Sequence, residues 1–553
     1  MRRERRSNTA SRIALSPQRP EPSGGQDRVA AIDIGSNSIR AIVADVSADG
    51  HIRVVDEMKS APRLGAGMDQ SGVLADAAMQ RATEAVVRMA TLARQLGATR
   101  IEAVATSAVR DASNARELAD MVRKAAKLQI RVLEGSDEAL LGFRSALAHF
   151  DLAAGRAAVV DIGGGSLELA LSAAGLVDRL VSLPFGALRL TERYFAKKIT
   201  RRAVKELRRD VHHELRRHLP AREWRKAQVI GSGGTFTNLA GMSLARQGIR
   251  SPQSVHGTRV TRMDLEHILD SLEDMTPTER LTVAGLNTGR ADIIVAGLAV
   301  IAEVMARLDA SSLVVSAYGI REGLLLETAH VLPTVAVPGE ARERSVRRLA
   351  EACHFEERHS MHVQRLALQL FDALGPRLGA DADERGTLAA AAMLHDVGYH
   401  ISYDKHHKHS YYLITNAELL GMSPMEQLVV ANVARYHRGA EPSKQHPSYD
   451  ALSRPMREEV RRLSAILRLA DGLDRGHICA VDRVKVRWLH DRIRITPIAR
   501  NIHQPMRLEI WGASRKARLL EKVAGIPVEI VQTRLATRIR DRVLTDRAVR
   551  SPT

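Results

Sequence analysis

The sequence predicts a mixed α/β protein of two related lobes, followed by an all-α domain and a small α+β tail. Two observations carry this. An apolar strand runs twice into the same acidic, glycine-containing turn, in AAIDIGSNSIRAIVADV at Ala30–Val46 and in AAVVDIGGGSLELALS at Ala157–Ser172. Asp33, Gly35 and Ser38 match Asp161, Gly163 and Ser166 at one constant offset, so the repeat unit is a whole domain rather than a solenoid element. Strand patterns also alternate with helical ones through both halves, which implies mainly parallel sheets covered on both faces.

After each turn the chain continues as another short apolar strand. That favours a β-hairpin over the strand-to-helix turn of a P-loop or Rossmann unit. Lobe I spans 29–152. It reads as the hairpin, a further strand (HIRVVDEMKSAPRL), a helix over Asp76–Leu96, a buried strand IEAVATSAV and a helix over Asn114–Leu128. The strand IRVLEG then leads into a helix begun at Ser136. Lobe II spans 153–332, with a third glycine turn in VIGSGGTFTNLAGM (Val229–Met242) and the closing segment SSLVVSAYGIREGLLLE. Pro333 and Pro338 flank a linker, and residues 333–480 carry helical patterns almost throughout. In the tail, 481–553, VDRVKVRWLHDRIRITPIA alternates about a His490-Asp491 turn, and MRLEIWGASRKARLLEKVAGIPVEIV reads strand, helix, strand. Residues 1–28 are basic and rich in Ser, Pro and Gly. With no apolar core they read as a disordered leader, not a signal peptide.

At 553 residues the chain is too long for one core. Its 45% hydrophobic and 26% charged residues let it fold without staples. Cys353 and Cys479 are its only cysteines and stand in no metal-binding spacing, so a reducing cytoplasm fits best. No apolar run approaches the roughly 20 residues that cross a bilayer. The net charge of +18 suggests an anionic partner such as polyphosphate, a nucleotide or nucleic acid. Much of that excess, however, lies in helical stretches such as Thr200–Arg217 that also read as solvated faces. Aromatics make up 3%, with no basic patch interleaved with stacking residues, so no dedicated nucleic-acid platform is expected.

The glycine turns carry the first chemistry. Glycine lets the backbone approach a phosphate and aim N–H groups at it; Ser36, Ser38 and Ser166 add hydroxyls, and an aspartate such as Asp33 can hold a divalent cation. Gly231, Ser232, Gly233, Gly234 and Thr235 form a third loop. One such turn commonly just reverses a chain, whereas three, each directly after a buried strand, point to phosphate binding. In VLEGSDEALLGF, Ser136 and Asp137 can cap the following helix. Glu138 would lie between the lobes, within reach of a water lined up on a clamped phosphorus.

In chain order, IDIGSNSIR, TSAVRDASN, VLEGSDEA, VVDIGGGSLEL, GSGGT and YGIREGLL resemble the Ppx/GppA phosphatases. The resemblance implies two actin-like, ribonuclease H-like lobes of the acetate kinase, sugar kinase, Hsp70 and actin superfamily, followed by an all-α HD-type domain. It implies removal of a terminal phosphate with Mg²⁺ or Mn²⁺, from polyphosphate or from guanosine pentaphosphate. By motif, Glu138 matches the general base, Asp161 the metal-binding acid, Arg110 a phosphate-contacting arginine and Glu168 a further acid. Ser36, Asn37 and Ser38, with Gly163, Gly164, Gly165 and Ser166, match the phosphate loops. A homodimer is implied by the same analogy. Two departures stand out: Asp137 replaces a common glutamate, and Ala317-Tyr318 stands where many members have an acid.

In the helical part, His359, His395-Asp396 and Asp471 follow the order of the HD-type tetrad, whose side chains converge on a divalent metal. His409 and His437 sit where two-metal versions add ligands. These histidines are equally readable as hydrogen-bonded structural residues, and the domain as a substrate-channel wall.

The leading reading is an exopolyphosphatase whose basic groove holds the polymer, with binding that weakens in salt. A guanosine pentaphosphate phosphohydrolase is the alternative enzyme. A non-hydrolytic polyphosphate or alarmone sensor, a working centre in the helical domain and an ATP-dependent kinase are the further alternatives.

Overall fold

The run Val29–Ile32 is buried on both faces because it lies in the middle of a sheet. A computed structural model describes residues 27–532 apart from 49, 153–154, 197, 220–223, 250–253, 332–339, 418, 420 and 502–505. All but the last two residues of the expected leader, the linker between Pro333 and Pro338, and the end of the tail lie outside the described residues.

The first sheet comprises β1 (Asp27–Ile34), β2 (Ile39–Val46), β3 (Ile52–Ser60), β4 (Arg100–Ala105) and β5 (Ile130–Val132), in the order β3-β2-β1-β4-β5. The second comprises β6 (Arg156–Ile162), β7 (Leu167–Ala173), β8 (Leu176–Leu183), β9 (Gln228–Ser232), β10 (Arg259–Thr261) and β11 (Ser312–Val315), in the order β8-β7-β6-β9-β11-β10. The two share one plan: three antiparallel strands beginning with the motif hairpin, then two strands parallel to its first arm. The second sheet adds only the antiparallel edge strand β10. Register keeps the motif residues equivalent, with Asp33 opposite Arg40 and Asp161 opposite Glu168. The repeat in the sequence is therefore a repeat of whole sheets.

Helices Asp76–Gln95 and Ala115–Ala126 cover one face of the first sheet through Met79, Val86, Leu118 and Val122. Its other face is covered by helix Ile320–Thr328, whose Leu324 and Leu325 pack with Val29, Ala31 and Ile42. Conversely, helix Gly135–His149 packs Ala139, Phe143 and Ala146 on Ala157, Val159 and Ala170 of the second sheet. Each of these helices thus leans on the other half's sheet. They cross closely, since a Cβ on Gly323 would stand 2.1 Å from the Leu141 carbonyl oxygen. This crossing ties the two halves together beneath the cleft.

Beyond residue 340 the chain is helical to Gly472, with Glu357–Leu374, Glu384–Leu394, Pro424–Arg435 and Arg454–Gly472 sharing a core of Val363, Leu366, Leu388, Val433 and Leu463. Then β12 (Val481–Trp488), β13 (Ile493–Ala499) and β14 (Val528–Ile530) form a three-stranded sheet whose Val481, Ile493 and Ile495 join that same core. The expected strand in MRLEIWGASRK is instead the helix Arg507–Lys516. Its small residues Gly512 and Ala513 let it lie against Gly472, where a Cβ would stand 2.8 Å from the Ala513 Cα. That backbone approach outweighs the short alternation of Leu508 and Ile510. Among the described residues no helix is long and apolar enough to cross a membrane, and both cysteines are buried and free.

Candidate active site

The two motif turns are built alike. In each, the first glycine amide closes the turn: Gly35 N–H donates to the Ser38 carbonyl (3.2 Å) and Gly163 N–H to that of Ser166 (3.0 Å). Their carbonyls are then held from behind. Ser36 O accepts from Gly65 N–H (2.8 Å) and Asn37 O from Arg63 N–H, while Gly163 O and Gly164 O accept from Ala187 and Leu188, which begin helix Ala187–Phe195. With the carbonyls turned back, the amides of Ser36, Asn37, Gly164 and Gly165 have no hydrogen-bond partner among the described residues. Amides left free at two such turns can hold an anion.

The turns face each other across one cleft of about 120 Å³, bounded by Asp33, Glu138, Asp161, Glu168, Arg40, Arg290 and Glu322 among others. Only glycine permits this approach. A Cβ on Gly164 would stand 3.0 Å from Ser36 Cβ, and one on Gly165 would stand 2.3 Å from Ser107 Oγ. Arg189 pairs with Asp111 (2.6 Å) and Arg63 with Asp292 (3.0 Å), bracing the halves across the opening.

Four acids meet here. Asp33 is half-buried, and its buried Oδ1 has no hydrogen-bond partner. Burial pushes its carboxyl up to about 6, against the pull of Arg321 and Arg40. Burial also raises Asp161, although Ser232 Oγ donates to its Oδ2 (2.8 Å). Glu138 is 3% exposed and is pushed up to about 8, chiefly by burial; Arg110, whose guanidinium contacts its Oε1, opposes the rise. Glu168 lies well above the usual carboxylate range through burial and the neighbouring Glu138 charge. Burial lowers Arg290 to about 10. Clustered raised carboxyls in a cleft mark a candidate functional site.

The third glycine loop lines the same cleft through Gly233 and Gly234. Gly233 has φ of 88°, and a Cβ there would stand 2.5 Å from Asp161 Oδ1; one on Gly234 would stand 2.0 Å from Arg290 Cζ. Thr235 is a correction. It opens helix Gly234–Arg246 pointing inward onto Gly297, whereas Thr237, about half a turn round the helix, faces the cleft. Arg110 sits behind Glu138, donating to the Leu133 carbonyl (2.8 Å) and to Glu138, and so orients that carboxylate. Arg40, Arg290, Arg321 and Glu322 also line the cleft, beyond the residues that the motifs single out. Arg40, Arg321 and Glu322 lie inside the quoted motifs, while Arg290 carries no local signal.

In the helical region, His359, His395, Asp396 and Asp471 converge as the spacing predicts. His437 joins them, but His409 does not; His406, one helical turn earlier, takes that place.

A profile of the Ppx/GppA phosphatase family matches residues 42–332, and one for Ppx/GppA phosphatase domain III matches residues 341–502. The chain belongs to the Ppx/GppA phosphatase family. It is similar to the exopolyphosphatase of Cytophaga hutchinsonii, at 27% identity, covering 56% of this chain and 100% of that one, with a TM-score of 0.51. An exopolyphosphatase-like protein matches at 30% identity, 55% and 97% coverage and a TM-score of 0.51. An Aquifex aeolicus family member matches at 29%, 55% and 97%, with a TM-score of 0.48. As a Ppx/GppA phosphatase the protein hydrolyses phosphoanhydrides, and its family acts on polyphosphate or guanosine pentaphosphate.

Cation binding to this cleft should release protons. The folded-state values of Asp33 and Glu138 exceed the ordinary 3.8 and 4.5, so their protonated forms stabilise the metal-free fold. That contribution is full below those ordinary values and is lost as pH rises through about 6 and about 8 respectively. At about pH 7 the calorimetric enthalpy of Mg²⁺ binding should therefore vary with the ionisation enthalpy of the buffer, and at about pH 9 it should not. Buffer-independent enthalpy at both would show that these acids are already ionised.

Proposed function

We propose that the protein is an exopolyphosphatase that removes terminal orthophosphate from inorganic polyphosphate with Mg²⁺. The observation that carries this is the meeting of two outward-turned amide sets with the carboxylate of Glu138 in a cleft sized for phosphoryl groups. The unpartnered Asp33 Oδ1, and Asp161 beside it, offer the hard oxygen ligands that magnesium takes, so the residues fit that ion. When bound, it supplies positive charge to the departing phosphoanhydride oxygens.

The chain's own residues do the rest. Backbone N–H groups of Ser36, Asn37, Gly164 and Gly165 bind the terminal non-bridging oxygens, and Arg40, Arg290 and Arg321 balance their charge. Glu138, once ionised, orients water and takes its proton at a carboxylate oxygen. The new bond forms from water oxygen to the terminal phosphorus, the bridging P–O bond breaks, and the shortened chain leaves.

A second reading, hydrolysis of guanosine pentaphosphate, is favoured by a cavity of about 950 Å³ lined by His149, Phe150, His256 and Arg342. Tyr318, on the cleft wall, stacks on His149 at 3.8 Å and so joins the two spaces. A panel of long polyphosphate, tripolyphosphate, guanosine pentaphosphate and ATP, each with Mg²⁺, separates the readings. Orthophosphate release should be fastest from long polyphosphate. Turnover of guanosine pentaphosphate alone would replace the first reading with the second, and binding without turnover would make the protein a sensor.

A further inference from the structure

Three cations at the catalytic cleft stand without a counter-charge. Most arginines around it are already paired: Arg321 meets Glu57 and Glu322, Arg63 meets Asp292, Arg189 meets Asp111 and Arg110 meets Glu138. The side chains of Arg40, Lys59 and Arg290, by contrast, make no hydrogen bond or ion pair among the described residues.

Sheet register sets two of them in a row with an acid of the cleft. Asp33 on β1 lies opposite Arg40 on β2, and Arg40 lies opposite Lys59 on β3. Cross-strand partners point to one face of a sheet, about 4.8 Å apart from strand to strand. Asp33 and Arg40 line the cleft, so this row runs along the cleft face, and it ends at Lys59 because β3 is the edge strand. Lys59 is exposed there. The third cation, Arg290, comes from the other half. The Arg63–Asp292 ion pair (3.0 Å) ties the segment that follows Lys59 to the one that follows Arg290. The charges reach one another: desolvation, then Arg40 and Arg290, lower the Lys59 ammonium, and burial, then Arg40, lower Arg290. Like charges held together in this way repel, and a string of negative charge laid among them removes the repulsion.

We propose that Lys59 is a subsite for the inner phosphoryl groups of the polymer, which leaves the paired turns over Arg40 and Arg290 and crosses the edge of the first sheet at Lys59. This rests on the exopolyphosphatase reading and adds the polymer's path to it. The larger cavity of about 950 Å³ is the rival path, but its Arg342, Arg347 and Arg385 already pair with Glu426, Glu357 and Asp372. A polymer there would have to displace those carboxylates, whereas along the row it meets cations that have no other partner. Lys59 thereby selects for length, since only a polymer long enough to reach the sheet edge gains its contact.

The test measures binding to the full chain carrying Glu138→Gln, which keeps the polymer intact, with Mg²⁺ and increasing KCl. For long polyphosphate, adding Lys59→Ala should raise Kd about fivefold at low salt. It should also lower the slope of log affinity against log salt by about one, the mark of one lost contact to a polyanion. Lys59→Arg should keep both native values. Pyrophosphate, whose second phosphoryl group gets only as far as Arg40, should bind all of these proteins alike. With Glu138 restored, Lys59→Ala should raise KM for long polyphosphate and leave kcat in place. Arg259→Ala, which takes a charge from the cavity wall instead, should leave the slope as it is. An unchanged slope in Lys59→Ala, or one that falls in Arg259→Ala instead, overturns the subsite. The expected slopes without orthophosphate release by the native protein would overturn the exopolyphosphatase reading and leave the subsite standing.

Discussion

Glu138→Gln should lower kcat on polyphosphate by about 10²–10⁴-fold, the usual contribution of a positioned general base, with binding retained. The amide keeps the shape of the carboxylate, and its oxygen still accepts from Arg110, so the cradle is undisturbed. What is lost is the lone pair that takes the proton of water. The pH profile separates this from a structural effect. The native carboxyl is pushed up to about 8 in the metal-free cleft, so activity should climb with pH toward that value, earlier when the cation is bound. The residual activity of the variant should lose that limb. A variant that keeps the native rate, or the native profile at a reduced rate, would remove Glu138 from its role.

Asp161→Asn should have the next largest effect, a fall in kcat/KM of about 10²-fold or more, because an anionic ligand for the cation is worth several kcal/mol of charge stabilisation. Ser232 Oγ, which donates to the native carboxylate, can still donate to the amide oxygen of the substituted side chain, so local packing survives. The stability readout should move the other way. Burial raises the Asp161 carboxyl, so its protonated form stabilises the metal-free fold, and ionisation with rising pH costs stability. Under alkaline, metal-free conditions the variant should therefore melt above the native protein, and added Mg²⁺ should stabilise it less. Parallel losses of activity and stability would assign Asp161 a structural role instead.

The readable parts of this site are those in which local chemistry is unusual. Asp33 and Asp161 place an acid next to the end of a buried strand and two residues before a glycine, and the matched offset exposed the duplicated sheets. Glu138 was legible through its motif rather than its place, since the first turn of a helix attracts acids for the dipole alone. Arg290 was not legible. It is one of 82 basic residues, and only the fold carries it onto Gly234. Thr235 and Thr237 differ by a rotation that loop reasoning ignores once the loop has become a helix. In HHKHS the choice between His406 and His409 depended on where the helix begins, and in the tail Arg507–Lys516 followed a backbone contact with Gly472 rather than its own alternation.

The most direct test of the account is a crystal structure of the Glu138→Gln protein with Mg²⁺ and a short polyphosphate. The terminal phosphate should lie between the turns, within hydrogen-bond distance of main-chain N–H groups of both Ser36–Asn37 and Gly164–Gly165, with the cation at Asp33 and Asp161. A chain end bound elsewhere, or contacted by one turn alone, would contradict it.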